Sequence, residues 1–438
     1  MQADFTLAIT GDSILNRRLS VHNEDRFLSL VKILRDADVA YTNLEMLIHD
    51  YEGPELYPAA EAASAYARSP HFTANELKWA GFDIVSTACN HSLDYSYGGL
   101  FSTWAALDEA GLVHAGTGMN LAEAREPAYL DTGKGRVALI SMCSSFVRWA
   151  RAGEIRRDVK GRPGLNPLRF YYKVDGNTIE MLKQLATKFG WSITQTSKMW
   201  LFFPAGTAMS FFKFVESDEP GVTPVADEDD VEGNLRSIRE ARRQADYVLV
   251  HLHNHEEDPD KGLDTPAKFV PSFARACIDA GADVFIGQGS HAPLRGIEVY
   301  KNRPIFYDPG TIFSMTSTTT RFPSDLYWMP GYKHEARRWD ATTADAFNAR
   351  EEIHWWRGKV VPPVAGAIVA VCSFKGDGGL TEFRFYPVTL VDTTPSRSGL
   401  PLLAEAGVAK KITERVGQLS APFGTKVEFK DGIGVIKL

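Results

Sequence analysis

Short apolar segments that end in ionisable or amide side chains recur along this sequence, and helix-like stretches separate them. In residues 81–95, for example, the apolar residues Phe82, Ile84 and Val85 are followed by Asn90 and His91. Alternation of strands and helices at this spacing predicts an α/β fold built from crossover units. Ligands bind beyond the carboxyl ends of the strands in such sheets, so we expect the functional site there. Taken alone, the segment also fits an ordinary strand-to-loop turn, because Asn and His both tolerate turns.

A second predicted strand, within residues 245–257, carries His251, His253 and His255. Alternate residues of a strand share one face, so the three imidazoles should lie side by side. One buried imidazole is ordinary in a protein core, but three at a strand end repel or compete unless they bind something. We therefore favour a functional interpretation of this segment, in which Glu256 and Glu257 follow directly.

Other predicted strands deliver Asp12, Asn43, Glu45 and His291 to their ends. Asn43 and Glu45 are two residues apart on an extended chain, so they should point to the same face. Carboxylates, amides and imidazoles that converge from several strand ends can fix a cation that polarises a substrate and activates water. The sequence therefore predicts a metal-assisted hydrolase site at one edge of the sheets.

Composition narrows the class of protein. The 438 residues, 44% hydrophobic and 24% charged, suit a soluble globular chain with a sizeable core. A net charge of -7 argues against nucleic acid and against a polybasic membrane surface, so we expect a small-molecule or peptide partner. The four cysteines lack the spacing of a zinc knuckle, and the start of the chain reads as a strand without the features of a signal peptide. We expect a cytoplasmic protein.

The alternation stops between residues 148 and 231, and we interpret this region as an insertion that covers the site. Its basic loop contains Arg162 and Arg169, either of which can hold an anionic substrate group; a solvated surface excursion is the alternative. Trp200, Trp328 and Trp355 are candidate substrate contacts, although aromatic residues in long insertions also serve packing.

These boundaries divide the chain into four parts. The predicted parts are a first half of the core at 1–147, the insertion at 148–231, a second half of the core at 232–314, and a C-terminal extension at 315–438 whose strands complete the second sheet.

An ordered set of short motifs resembles a known family. The motifs are Gly11-Asp12, Asn43-Leu-Glu45, residues 88–95 with Gly98-Gly99, His253-x-His255-Glu256, residues 281–291, and residues 296–300 with 305–307. In order and spacing they resemble the bacterial capsule-synthesis CapA family, also called poly-γ-glutamate synthesis proteins. That family is similar in fold to calcineurin-like metallophosphoesterases. The resemblance covers most of the chain apart from the insertion and the Trp-rich segment.

The resemblance implies an α/β fold arranged as a four-layer αββα sandwich with a central insertion, and a divalent metal (Mn, Zn or Fe) at the sheet edge. The positions that match metal ligands are Asp12, Glu45, Asn90, His253 and His291. His91 matches the histidine that protonates a leaving group, oriented by Asp12 or by Asp94. The residues expected to contact substrate are Asn43, His255, Glu257, Arg169 and Gln288.

The chain departs from the family pattern at two points. Gln288 and Ser290 replace a histidine and a proline, and residues 308–311 read Asp-Pro-Gly-Thr where the family has Ser-Leu-Gly-Asn. Gln is a poorer ligand than His for zinc, manganese or iron. The sequence therefore leaves the number of metal ions undecided, and a single ion or none are alternatives to a two-metal centre.

Two enzymatic functions follow, with a binding protein that has lost catalysis as a third alternative. The first is a metal-dependent hydrolase of a phosphoester or an amide or ester bond, with His91 as the general acid. The second is a metal-independent epimerase or lyase for a peptide or small aromatic substrate, as in some relatives from peptide natural-product pathways. In it an Asp12–His91 dyad and His291 face each other across an acidic C–H bond.

Overall fold

The computed structural model describes residues 4–60, 66–205, 211–291, 294–327, 340–346, 366–375, 379–391 and 394–438. Within these ranges the chain forms a mixed α/β fold, as the alternation predicted. The described strands are β1 (Phe5–Ile14), β2 (Val39–Leu44), β3 (Leu47–Ile48), β4 (Arg68–Ser69), β5 (Ile84–Ser86), β6 (Val113–Ala115), β7 (Thr117–Gly118), β8 (Ala128–Thr132), β9 (Gly135–Cys143), β10 (Gly164–Leu165), β11 (Phe170–Asp175), β12 (Ser192–Thr196), β13 (Met199–Phe203), β14 (Phe212–Ser217), β15 (Val222–Ala226), β16 (Tyr247–His253), β17 (Glu257–Asp258), β18 (Gly262–Pro266), β19 (Val284–Gln288), β20 (Ile297–Tyr300), β21 (Arg303–Phe306), β22 (Phe313–Ser314), β23 (Ala367–Phe374), β24 (Leu380–Leu390), β25 (Pro401–Leu403), β26 (Val427–Lys430) and β27 (Ile433–Ile436). The described α-helices are α1 (Asp25–Asp36), α2 (Thr73–Ala80), α3 (Ser96–Glu109), α4 (Leu121–Arg125), α5 (Gly176–Lys188), α6 (Glu228–Gln244), α7 (Phe269–Ala280), α8 (Ser324–Tyr327) and α9 (Ala406–Ser420).

Two large sheets form the core. The first has the strand order β26-β27-β24-β23-β1-β2-β5-β6, with β22 and β25 attached, and β1, β2, β5 and β6 run parallel. The second has the order β20-β21-β19-β16-β9-β8, with four parallel central strands and antiparallel strands at both edges. The predicted C-terminal strands pair through β23 with β1, so they extend the first sheet instead of completing the second. They thereby cover the edge of β1 that β2 leaves open.

Alternation along the strands decides which side chains meet between the sheets. Phe5, Leu7 and Ile9 of β1 are fully buried in one apolar cluster with Leu139 of β9 and Leu249 of β16. Because successive strand residues face opposite sides, Ala8 belongs to a different cluster on the other face. Burial of a large apolar side chain stabilises the fold by about 1.5–3 kcal/mol.

Helices pack on the remaining faces of both sheets. In α1 the buried residues Phe27, Leu30, Val31 and Leu34 follow helical spacing and pack in the cluster that contains Ala8. The outer face of the second sheet packs in the same way against α6 and α7. Strands β9, β16 and β19 are therefore covered on both sides, which accounts for their nearly continuous apolar runs.

A third sheet lies inside the predicted insertion and has the order β12-β13-β14-β11-β15. It has a small core of its own with α5, in which Trp200 is only 8% exposed. Trp200 thus serves packing, which was the alternative to substrate contact, whereas Trp328 and Trp355 lie outside the described residues. Phe170 of β11 stacks on Phe269 of α7, with ring centroids 5.4 Å apart, and so attaches this sheet to a helix that covers the second sheet.

Candidate metal centre

The carboxyl ends of β1, β2 and β16 meet where the two large sheets pack. Asp12 and Asn43 are partners in the parallel pairing of β1 with β2, and Asn43 Nδ2 donates to Asp12 Oδ1 at 2.8 Å. From the second sheet, His253 Nδ1 lies 3.4 Å from Asn43 Nδ2 and 3.8 Å from Asp12 Oδ1. Residues of both sheets are therefore within contact distance of one another, as the strand-end pattern predicted.

Donor atoms form two groups that share Glu45. Asp12, Glu45 and His291 make one group, and Glu45, His253 and His255 make the other, with the donor atoms of each within 4.8 Å of one another. Glu45 Oε1 lies 3.3 Å from His291 Nε2 and 3.7 Å from His253 Nε2. The Nε2 atoms of His253 and His255 are 3.1 Å apart, a distance at which two ring nitrogens share either a proton or a cation. The sequence placed His255 among the substrate contacts, and in the structure its ring nitrogen also belongs to a group of donor atoms that could hold a metal ion.

Several oxygens in this centre have no hydrogen-bond partner among the described residues. They are Asp12 Oδ2, both carboxylate oxygens of Glu45, and Asn90 Oδ1. Asp12 and Glu45 are both fully buried. A buried charge is costly unless it is paired or coordinates a metal, so these orphaned oxygens fit a divalent cation. Glu45 lacks the most hydrogen bonds of the three residues, because neither of its carboxylate oxygens has a partner among the described residues.

The electrostatics of the centre favour a cation as well. Burial raises the pKa of Asp12 well above its usual value, and the charge of Asp308 raises it further. Burial, followed by the charge of Asp12, has the same effect on the pKa of Glu45. Burial lowers the pKa values of His253 and His255 well below the usual imidazole range, and neighbouring imidazoles lower them further. The neutral imidazole is the form that ligates metal, and a bound cation offsets the repulsion between the carboxylates.

The turn after β5 holds Asn90, His91 and Asp94. His91 Nδ1–H donates to Asp94 Oδ2 at 2.6 Å, and the same carboxylate oxygen accepts from the backbone N–H of Ala67. Asn90 Nδ2 donates to His91 Nε2 at 3.2 Å, and Nε2 lies 3.9 Å from Glu45 Oε1. Of the two candidate partners for His91, Asp94 is the one that the structure places against its Nδ1. The other ring nitrogen faces the donor groups.

Two predicted substrate contacts are engaged inside the protein. Asn43 Oδ1 accepts from Ser86 Oγ at 2.7 Å while its amide nitrogen donates to Asp12. Gln288 Nε2 donates to the carbonyl of Thr10 at 2.9 Å and so links the second sheet to β1. Both amides are fully buried, and in these contacts they position the strand ends.

Three other residues predicted as substrate contacts, Arg162, Arg169 and Glu257, are described by their own local contacts. Arg169 donates to Asp230 through Nε at 2.6 Å and through Nη2 at 2.9 Å, so its charge is already paired. Arg162 donates to the carbonyl of Arg151, and Glu257 begins the short strand β17. Substrate binding by Arg169 and Glu257 stays a prediction.

One member of the histidine series belongs to the core. His251 is fully buried, lies 2.9 Å from Ser141 Oγ through Nδ1, and has its pKa lowered to about 3 by burial. His251 precedes His253 by two residues in β16, so it is on the same face of the strand, and it lies between the two sheets. The functional interpretation of three adjacent imidazoles therefore fits His253 and His255 better than His251.

Asp308 is a buried carboxylate that sequence reasoning did not select. It accepts from the backbone N–H and the hydroxyl of Ser290, at 2.8 and 2.7 Å, and from the N–H of Gly310. These bonds hold the loop that presents His291, whose φ of 61° lies in the left-handed region. Asp308 is the second residue after β21, so the strand-end rule could have found it. Gly11 is required nearby, because a Cβ there would lie 1.5 Å from the carbonyl oxygen of Gly310.

Arg295, which is 1% exposed, was also missed, and no local sequence signal points to it. Its guanidinium donates to Asn254 Oδ1 at 2.8 Å and to the carbonyls of Glu256 and Leu263 at 3.0 Å. Arg295 therefore holds the chain on both sides of His255.

Comparison with known proteins establishes the family. Residues 6–314 match the family described as bacterial capsule synthesis protein PGA_cap, so the chain belongs to that family, and the resemblance to CapA proteins is confirmed. The uncharacterized protein y4sH of Sinorhizobium fredii is 34% identical over 442 residues, covering 99% of this chain and 93% of that protein. The capsule biosynthesis protein CapA of Bacillus anthracis is 24% identical over 322 residues, covering 72% of this chain and 61% of that protein.

Among solved structures, a putative 5′-nucleotidase from Staphylococcus aureus in complex with alpha-ketoglutarate aligns with a TM-score of 0.37 and 13% identity. The alignment covers 95% of this chain and 58% of that one. A TM-score below 0.5 does not by itself establish a shared fold. Within the described ranges, none of the helices combines the length and the apolar character that a bilayer-spanning segment needs.

Proposed function

We propose that this protein is a metal-dependent hydrolase of a phosphoester or of an amide or ester bond. The observation that carries the proposal is the pair of donor groups sharing Glu45, in which buried carboxylate oxygens and imidazole nitrogens converge. The scaffold proposed for it is a four-layer αββα sandwich of the metallophosphoesterase type. Its support is the apolar cluster between the two large sheets and the helices packed on their outer faces.

The proposed cofactor is a divalent ion, Mn, Zn or Fe, because carboxylate oxygens and imidazole nitrogens together suit these metals. Asp12, Glu45 and His291 would hold one ion, and Glu45 with His253 and His255 offers a second position. Asn90 Oδ1 is a further candidate ligand. When bound, the cation supplies Lewis-acid polarisation of the scissile group and activation of water.

His91 is the proposed general acid. Asp94 fixes the ring through Nδ1 and stabilises the imidazolium, while Nε2 faces the donor groups. A positioned imidazole that protonates the leaving group contributes about 10²–10⁴ in rate. The burial of His91 and Asp94, which are 6% and 2% exposed, keeps competing water from their hydrogen bond.

The insertion at 148–231 is proposed to cover this site. One support is Tyr172 on β11, whose pKa is raised by burial and by the charge of Glu256, the residue that follows His255. Ser144 and Ser145, just before the insertion, donate to Glu256 at 2.6 and 2.7 Å. The proposed substrate is a small molecule or peptide. Buried free cysteines fit the reducing cytoplasm, which is the proposed location.

The test combines metal analysis with hydrolysis. Metal-free protein is reconstituted separately with Mn²⁺, Zn²⁺ or Fe²⁺, and its metal content is measured by mass spectrometry. Each form is then assayed with p-nitrophenyl phosphate, bis(p-nitrophenyl) phosphate, p-nitrophenyl acetate and an acyl p-nitroanilide. We expect hydrolysis of at least one substrate that disappears with chelator and returns with metal. Full activity in the metal-free preparation contradicts the proposal.

One observation favours the metal-independent epimerase or lyase. His91 Nε2 and His291 Nε2 both approach Glu45 Oε1, at 3.9 and 3.3 Å, so two imidazoles face one small region. One would remove a proton from an acidic C–H bond while the other returns it. In this version Asp94 takes the orienting role that the sequence gave to Asp12. Deuterium incorporation into peptide substrates from heavy water, without added metal, is the expected result, and its absence counts against the alternative.

A further inference from the structure

A cavity of about 390 Å³ lies beside the turn that carries His91 and Asp94. It is lined by Tyr57, Pro58, Ala59, Tyr97, Trp149 and Asp325. Three aromatic rings and one carboxylate thus line the same space. The hydrolytic mechanism uses none of these side chains.

Hydrogen bonds connect the walls of the cavity to the candidate metal centre. The backbone N–H of Ala59 donates to the carbonyl of Asp94 at 2.8 Å, and Tyr97 follows Asp94 by one turn of chain at the start of α3. Trp149 lies in the short 3-10 helix after β9. Earlier in the same connection, Ser145 Oγ accepts from the N–H of His255 at 2.7 Å. The cavity therefore opens among the loops that present the proposed general acid and a proposed metal ligand.

The chemistry of the lining selects for positive charge. Tyr97 and Trp149 meet edge to face, with ring centroids 6.4 Å apart. Aromatic faces attract a cation through their quadrupole, and a carboxylate on the rim adds a full negative charge. Asp325 accepts from the hydroxyl of Tyr66 at 3.2 Å, and no lysine or arginine of the described residues forms an ion pair with it. The neighbouring cation Arg148 is turned to the ring of Phe211, 4.9 Å from its centroid.

We propose that this cavity binds an organic ammonium group carried by the substrate. The inference rests on the proposed function only in assigning the ammonium group to the molecule that is hydrolysed. Binding of the ammonium at Tyr97, Trp149 and Asp325 would place the rest of that molecule toward His91. The ammonium group can come from a small-molecule amine or from a lysine side chain of a peptide, and both sources present the same charge to the cavity.

The first test is binding of choline to the full chain in its metal-free form, measured by ligand-observed NMR. The neutral isostere 3,3-dimethylbutan-1-ol has the same shape without the charge. We expect choline to bind about tenfold more tightly than the alcohol. We expect Asp325→Asn to remove this preference and Asp279→Asn, a surface control that pairs with Lys301, to leave it unchanged. Trp149→Leu should weaken choline binding, whereas Trp149→Phe, which keeps a ring, should retain most of it.

Three results would each overturn the proposal. They are equal binding of choline and the alcohol, full choline affinity in Asp325→Asn, and no choline binding up to about 50 mM, a concentration that would reveal even a weak site. Butylammonium and N-acetyl-lysine methylamide distinguish the two sources, because only the second carries a peptide backbone. Glu45→Gln separates this inference from the proposed function. If that variant lacks hydrolysis yet binds choline normally, the cavity acts independently of the metal centre. If the wild-type protein hydrolyses substrate but does not bind choline, the ammonium site alone is wrong.

Discussion

Glu45 Oε1 lies 3.7 Å from His253 Nε2, although Glu45 follows a strand of the first sheet and His253 ends a strand of the second. Both side chains are fully buried, and both oxygens of Glu45 have no hydrogen-bond partner in the described part of the chain. The packing of the sheets therefore brings an unsatisfied carboxylate to a neutral imidazole. A cation at this place satisfies both groups, which is why Glu45 is central to the first prediction.

Substitution of Glu45 by Gln should remove the donor that both groups share. We expect metal affinity to fall by about a hundredfold or more, since even outer-shell changes cost 10–100-fold. The metal-free variant should be at least as stable as the wild type, because Gln carries no buried charge. Metal content and thermal unfolding with and without metal measure both effects. Glu382→Gln, at an exposed residue of β24, is the control, and an unchanged metal content in Glu45→Gln contradicts the assignment.

Replacement of His91 by Gln should slow hydrolysis in proportion to the basicity of the leaving group. We expect a loss of about 10²–10⁴ with phenyl phosphate and a much smaller loss with p-nitrophenyl phosphate, whose leaving group needs little protonation. Metal content should stay unchanged. Equal losses for the two substrates would mean that His91 does not protonate the leaving group.

Asp94→Asn tests the orientation of His91 separately. The amide keeps the shape of the side chain but no longer stabilises the imidazolium, so we expect a loss of about 10–100-fold in kcat. The loss should be larger with phenyl phosphate than with p-nitrophenyl phosphate, because Asp94 acts through the general acid. A variant with normal kcat for both substrates would restrict Asp94 to a structural role through its bond to the N–H of Ala67.

His49, which is not one of the donor groups, is expected to make the stability of the protein depend on pH. Burial lowers the pKa of His49 to about 4, below the usual value near 6.5. An unfolded chain therefore takes up a proton between these values while the folded chain does not. The stability contributed by neutral His49 is present above pH 6.5 and is lost as pH falls toward 4, by about 2–3 kcal/mol. Denaturant unfolding should show this slope in the wild type and a flatter one in His49→Gln; parallel slopes would contradict it.

Asp308 and Arg295 are expected to be energetically coupled. The charge of Asp308 opposes the lowering of the pKa of Arg295 by burial, so removal of either charge leaves the other buried with less compensation. Asp308→Asn and Arg295→Met should each cost about 3–5 kcal/mol, and the double variant should cost less than their sum. Strictly additive free energies of unfolding would show that the two residues act independently.

The local sequence was sufficient to predict strands, helices and the ends at which function lies. Apolar runs followed by Asp12, Asn43 and Glu45 predict strand ends because a strand buries alternate residues and its exit is the first place for a polar group. The same periodicity placed His253 and His255 on one face. These signals depend only on neighbours along the chain, so they can be recognised without knowledge of the tertiary structure.

The tertiary structure decided which of these residues meet. His251 has the same periodicity as His253 and is equally buried, but its Nδ1 lies against Ser141 Oγ. His253 instead lies 3.8 Å from Asp12 Oδ1 and 3.7 Å from Glu45 Oε1. Asp94 rather than Asp12 lies against His91 Nδ1, and Arg295 enters from a segment with no local signal. The face that a side chain takes on a strand follows from the local sequence, whereas its partners across two sheets depend on packing between distant segments.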